Sequence, residues 1–297
     1  MSKNQTKASD LTLFSALDSD KYEKFVLPFI FFPLAANEDV RVEVHLKNYD
    51  SFIESNAGGL QILEQQFGNR FAIHPLKGKY FNILPCGSTS RFFTEPIFRS
   101  KWTKISDIDL MHVENHLVND FDELEKEKPS DTYFALKRGQ HKKISGTLCV
   151  KTSEFYSSEW RQNLESYFQN VVEEDKLRKK THPFDQPFYY HDEFVNYDLI
   201  VPVHGLPSSI EGKNVRPIQG IHISPNRPPY PEFEGCATWG ISEERKKAIQ
   251  GLMSSQAFSE LLPHLAQEMN ELLEKICIDK SFSFHSNCAS IQDHRIL

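Results

Sequence analysis

"TKISDIDLMHV", residues 103–113, decides how this chain is read. The run reads as a buried strand, yet Asp107 and Asp109 put two carboxylates one residue apart near its end. In extended backbone, residues two apart share a side, so both carboxylates can reach one point beyond the strand while Ile108 turns into the core. Two hard oxygen donors on one spot suit Mg²⁺ or Mn²⁺, whose octahedral shells are completed by water and substrate phosphates. The plainer reading is a solvated acidic strand end, and so short a motif does not choose between them.

Upstream, "LTLFSAL" (11–17) and "VRVEVHL" (40–46) alternate as strands. Between them Asp18, Ser19 and Asp20 can cap a helix expected from near Tyr22 toward Ala36, bent at Pro28 or Pro33. "SFIESNAGGLQILEQQFG" predicts a helix interrupted at Gly58 and Gly59 and closed by Gly68, and "RFAIHPL" a third strand. "STSRFFTEPIFRSKW" offers Ser88 or Ser90 as the cap of a further helical segment, which makes "TKISDIDLM" the fourth strand. This alternation predicts an α/β fold, a mostly parallel sheet covered on both faces with right-handed crossovers. Ligands of such sheets gather outside the carboxyl ends of the strands, where the two aspartates fall.

Downstream, "VNDFDELEKEKPSD" is charged and loop-like, and "HKKISGTLCVKTSEFY" reads as another strand with Ser145 and Gly146 at its entry. "SSEWRQNLESYFQNVVEEDKLRKK" has the pattern of an amphipathic helix, and the Gly- and Pro-rich stretch 204–235 is long enough to be a lid or binding loop. Phe258, Leu261, Leu262, Leu265, Met269, Leu272, Leu273 and Ile276 recur at three- and four-residue steps, predicting one C-terminal helix. The expected division is therefore a main domain over 1–240, with a C-terminal helix and polar tail over 241–297 packed on it.

The composition, 39% hydrophobic and 25% charged in 297 residues, is that of a globular protein. A net charge of -7 gives no electrostatic footprint for nucleic acid. Five cysteines are scattered without a CxxC pair, so reduced thiols and a cytoplasmic location are expected. "MSKNQTKASD" lacks the apolar core of a secretory signal. "FVLPFIFFPLAA" contains two prolines and falls short of the ~20 apolar residues a bilayer span needs. No transmembrane segment is expected; peripheral membrane association stays open.

The order "STSRFFTEPIF…KWTKISDIDLM", "ISGTLCVKT", "HDEFVNYDLI" and "RPIQGIHIS" resembles a GT-A-fold glycosyltransferase, nearest to the glycogenin-like, family 8 pattern. The resemblance implies a GT-A-like, Rossmann-like domain that moves a sugar from a nucleotide sugar, most readily a UDP-sugar, to an acceptor hydroxyl on a glycan or glycolipid. It implies that Asp107, Asp109 and His222 hold Mn²⁺ or Mg²⁺ on the donor diphosphate, with Arg91 near the nucleotide and Ser145 and Gly146 lining the sugar pocket. Asp192 or Glu193 would face the sugar or the acceptor, and the family pattern leans toward retention. Where the family has Gly and Lys-Pro-Trp after the metal-binding His, this chain has "SPNRPPYPEF", so Arg227, or Arg216 upstream, would meet the diphosphate.

Each of these residues also has a structural reading: His222 as a loop histidine, Arg91 as a first-turn helix residue, Ser145 and Gly146 as a turn, Asp192 and Glu193 as an acidic helix start. Rival functions are a phosphatase of the haloacid dehalogenase type, a nucleotidyltransferase, and an inactive sugar-nucleotide-binding protein. The first puts its Asp-x-Asp on the first strand of the core, whereas here about three strands precede it. The second would call for a glycine-rich phosphate loop near the N-terminus, and this sequence shows none there.

Overall fold

The computed structural model describes residues 10–77, 91, 94–115, 117–127, 133–138, 143–159, 162, 166, 200–202, 221–223 and 243–277. Strand β1 (Leu11–Leu17) is wholly buried, as a central strand of a sheet covered on both faces must be. It pairs in parallel with β2 (Val40–Leu46) on one side and β4 (Trp102–Ile105) on the other, while β3 (Phe71–Pro75) extends the sheet parallel to β2. Beyond β4 the direction reverses. β7 (Lys143–Lys151) runs antiparallel to both β4 and β6 (Tyr133–Arg138), and β8 (Ile200–Pro202) is parallel to β6. The seven-stranded order is β3-β2-β1-β4-β7-β6-β8. A separate antiparallel pair joins β5 (Leu110–Met111) to β9 (Ile221–His222). This is the expected α/β class, a mixed but mostly parallel sheet with flanking helices.

The chain leaves β1 toward β2 and β3, then returns to the opposite flank of β1 as β4. That reversal is a topological switch point, the place beside which ligands of open α/β sheets gather.

Helix α1 (Val26–Ala36) is apolar around its whole circumference because it is enclosed, with Val26 through Leu34 all buried. Phe31 meets Phe67 edge-on at 5.8 Å and Phe258 at 5.3 Å. Pro33 sits inside the helix and has no N–H to give the carbonyl one turn back; enclosure makes this tolerable. The segment expected to begin this helix, Asp20–Phe25, is a separate 3₁₀ turn.

Three other expectations change. Gly58 and Gly59 do not interrupt a helix. The break falls at Asn56, between α2 (Tyr49–Ser55) and α3 (Ala57–Phe67), and the glycines sit in the first turn of α3 because a Cβ on Gly59 would lie 2.8 Å from Leu27 Cδ1. Gly68 closes α3 as expected, with φ of +58°. Residues 117–127, read as loop, form α4 (Leu117–Glu127), in which Leu117, Val118 and Phe121 are buried while Lys126 is exposed. The C-terminal stripe is not one helix: Pro263 breaks it into α6 (Gln256–Leu261), a 3₁₀ turn and α7 (Gln267–Cys277), after α5 (Glu243–Met253). No described helix is long and apolar enough to cross a membrane.

Candidate functional site at the end of the fourth strand

Strand β4 stops sooner than its sequence suggests. The Ser106 N–H still extends the ladder to the Phe14 carbonyl (2.9 Å), but Leu110 N–H then turns back to Asp107 O (3.3 Å). Asp107 and Asp109 thus lie in a turn beyond the strand, not on one side of extended backbone. Ile108 is buried all the same, which anchors the turn. The two carboxylates have different surroundings: the Asp107 side chain is 16% exposed, whereas Asp109 is 1% exposed.

Asp107 pairs through Oδ1 with Nη1 of Arg91, a buried guanidinium that also donates to Ser106 O at 3.4 Å. A charge-assisted pair of this kind fixes the carboxylate and offsets its burial. Below the turn lies a buried polar chain whose proton directions follow from its last member. Ser106 Oγ reaches the Asp107 carbonyl at 3.1 Å, and a carbonyl only accepts, so the hydroxyl donates there. It therefore accepts from Nε2–H of His112 (3.3 Å), which leaves Nδ1 to accept from the fully buried Lys104 ammonium at 3.4 Å. Lys104, Ser106 and His112 were not among the residues singled out in sequence. Alternation puts Lys104 and Ser106 on one face of a strand, a face that reads as solvated until the structure buries it.

The backbone brings further predicted residues to the same end. β9 sets His222 opposite Leu110, and Ile223 N–H donates to Asp109 O at 2.8 Å. In β7, Leu148 is the partner of Ile105, so Gly146 and Ser145 continue past the end of β4. They lie within the strand rather than at its entry, where pairing with β6 shifts register between Ala135 and Lys137. A glycine beside such an irregularity is where backbone can approach a ligand. Asp192, Glu193, Arg216 and Arg227 lie outside the described residues, as do the Ser88 and Ser90 caps.

Helix α4 is tied to the start of β4. The Asp122 carboxylate accepts from Trp102 Nε1 at 3.0 Å and Lys101 Nζ at 2.6 Å. Burial alone would raise the Asp122 carboxyl, but these two donors and the neighbouring Lys charges hold it below its ordinary value. Cys149, next along β7, is buried and its thiol pushed up by desolvation, an unreactive core cysteine.

No family model matches the chain, and no curated protein matches it. Among solved structures it is similar to the glycosyltransferase GlyE of Streptococcus pneumoniae TIGR4, at 13% identity and a TM-score of 0.42, over 63% of this chain and 44% of that one. The apo-form of GlyE gives 14% identity and a TM-score of 0.38, over 63% and 46%. The chain thus spans less than half of the solved structures it matches. Similarity at that distance says nothing about activity.

Proposed function

We propose that the chain is a metal-dependent glycosyltransferase that moves a sugar from a nucleotide-sugar donor to an acceptor hydroxyl. One observation carries this reading: the backbone gathers Asp107, Asp109, Ser145, Gly146 and His222 around the carboxyl end of β4, beside the switch point of the sheet. The donor chemistry fits a hard divalent cation, Mn²⁺ or Mg²⁺, held by Asp107 and Asp109 with an imidazole from His222. Bound there, such an ion supplies Lewis-acid stabilisation to a departing diphosphate.

The chain's own part is positioning. Arg91 holds the Asp107 carboxylate, and the Lys104–His112–Ser106 chain fastens the carbonyl of the same residue, so the turn keeps its shape as charge changes above it. Ser145 and Gly146 would leave room for the sugar, and a UDP-sugar donor with a glycan or glycolipid acceptor suits the family pattern. Asp192 or Glu193 would supply the carboxylate facing the reacting carbon, with retention favoured by that pattern.

Thermal-shift measurements test the proposal. Nucleoside diphosphates should stabilise the chain only with Mn²⁺ or Mg²⁺ present, and Asp109→Asn should abolish the metal-dependent part. Stabilisation indifferent to metal, or unchanged in Asp109→Asn, would overturn it. Hydrolysis of UDP-sugars in the same samples separates a transferase from a binding protein.

A further inference from the structure

Glu43 is an anomaly in β2. Its carboxylate is fully buried in the middle of a sheet, where an unpaired charge would cost several kcal/mol, roughly. Three groups converge on it. Ile97 N–H donates to Oε1 and Phe98 N–H to Oε2, each at 2.8 Å, and His45 Nε2 lies 2.6 Å from Oε1. Period-2 geometry sets Glu43 and His45 on one face of β2, and the register places His74 of β3 directly beside His45. The two imidazoles meet at 5.3 Å with planes 72° apart, and His45 is further held edge-on by Phe14 at 5.3 Å.

One ligand-capable atom from each of Glu43, His45 and His74 lies within 4.8 Å of the others. Against the two histidines opens a cavity of ≈ 380 Å³, lined also by Lys77, Thr94 and Glu95, with Glu43 buried behind them. The two backbone amides already hold the carboxylate, and the Phe14 contact holds one ring, so the donors are oriented in advance by surrounding groups, as ligands of metal centres are.

The geometry points to a second cation site in which Glu43, His45 and His74 bind a borderline divalent metal, Zn²⁺ foremost, with its fourth position open to the cavity. Two imidazoles and one carboxylate form a nitrogen-rich set that suits Zn²⁺, in contrast to the oxygen-rich pair at Asp107 and Asp109. The ion takes the place of the proton between His45 and Glu43; that proton passes to His45 Nδ1, giving the other neutral tautomer. The 2.6 Å contact must widen, to about 3.3 Å for tetrahedral ligands at ordinary zinc bond lengths. Only side-chain rotation is needed. A hydrogen-bonded Glu–His pair that merely pins residues 97 and 98 would account for Glu43 and His45, but not for the second histidine, His74, in register beside them.

The test is a Zn²⁺ titration of the chelator-treated full chain by calorimetry, with X-ray absorption at the zinc edge. One equivalent should bind, with a nitrogen- and oxygen-only shell containing two imidazoles. His74→Gln, a change at a half-buried position, should weaken that binding at least about tenfold. The Asp107→Asn/Asp109→Asn double variant should leave it intact, so this site can fail without the glycosyltransferase reading failing, and conversely. Absence of binding, a sulfur-containing shell, or equal affinity in a folded His74→Gln variant would each overturn the proposal. The absorption spectrum of the unmodified chain decides the matter even if the variant does not fold.

Discussion

Two regions of the sheet bury carboxylates, one within a strand and one just past a strand's carboxyl end, and they do so in opposite ways. At Glu43 the charge sits within a strand and is met by backbone amides and an imidazole, so the acceptor capacity is taken up by neutral donors. At Asp107 the charge sits past the strand, partly open to water, and is met by a guanidinium. The first arrangement locks a neighbouring segment onto the sheet; the second holds an acidic turn past the end of β4, beside the switch point. Burial is thus a poor guide to what a carboxylate does until its partners are named.

The largest effect should come from Glu43→Ala. It leaves two amides and an imidazole without their acceptor, and the expected loss is about 3–5 kcal/mol of unfolding free energy by urea denaturation. A loss below about 1 kcal/mol would mean that water replaces the carboxylate and that the two corners are less different than they look. Arg91→Ala comes next, at about 2 kcal/mol, because Asp107 can recover some hydration through its exposed edge. If Arg91→Ala cost as much as Glu43→Ala, the contrast would fail.

A smaller change is expected of Ser106→Ala. Removing the link between His112 and the Asp107 carbonyl should cost about 1 kcal/mol in the same assay, and should weaken nucleotide-dependent stabilisation if the turn's shape matters to binding. The smallest prediction concerns pH. Asp122 has a depressed carboxyl in the folded state, so the unfolded chain takes up its proton first as pH falls. Its contribution is present above the ordinary carboxylate value and fades as pH drops through the lower, folded value. Asp122→Asn should therefore flatten the acid limb of stability measured between about pH 5 and pH 3.

The β1–α1–β2–β3 half was legible because each element carries its own period and ends in its own punctuation, down to Gly68 with its positive φ. The Asp-x-Asp pair stood out in the sequence because its two acids lie one residue apart, although they occupy a turn and not the extended strand expected for them. What was not legible depends on register between distant segments. Nothing in "VRVEVHL" says that Glu43 will meet amides at 97 and 98, and nothing in "RFAIHPL" says that His74 will stand beside His45. A charged residue at a central position of an otherwise β-branched strand was the available signal. The helix at 117–127 was missed because its three buried apolar residues are outnumbered by acids, and the C-terminal helix was overextended because its apolar period runs straight through Pro263.

Gly58 has a consequence for how this molecule can be cut. An added Cβ there would stand 2.4 Å from the His264 imidazole, and Gly59 lies almost as tightly against Leu27. The closing helices therefore rest on the bare backbone of α3, with Phe258 wedged against Phe31 and Phe32. Trimming the chain near residue 240 would not release a self-sufficient N-terminal unit. It would strip the lid from an oily trough, and the shortened product should precipitate or seek chaperones.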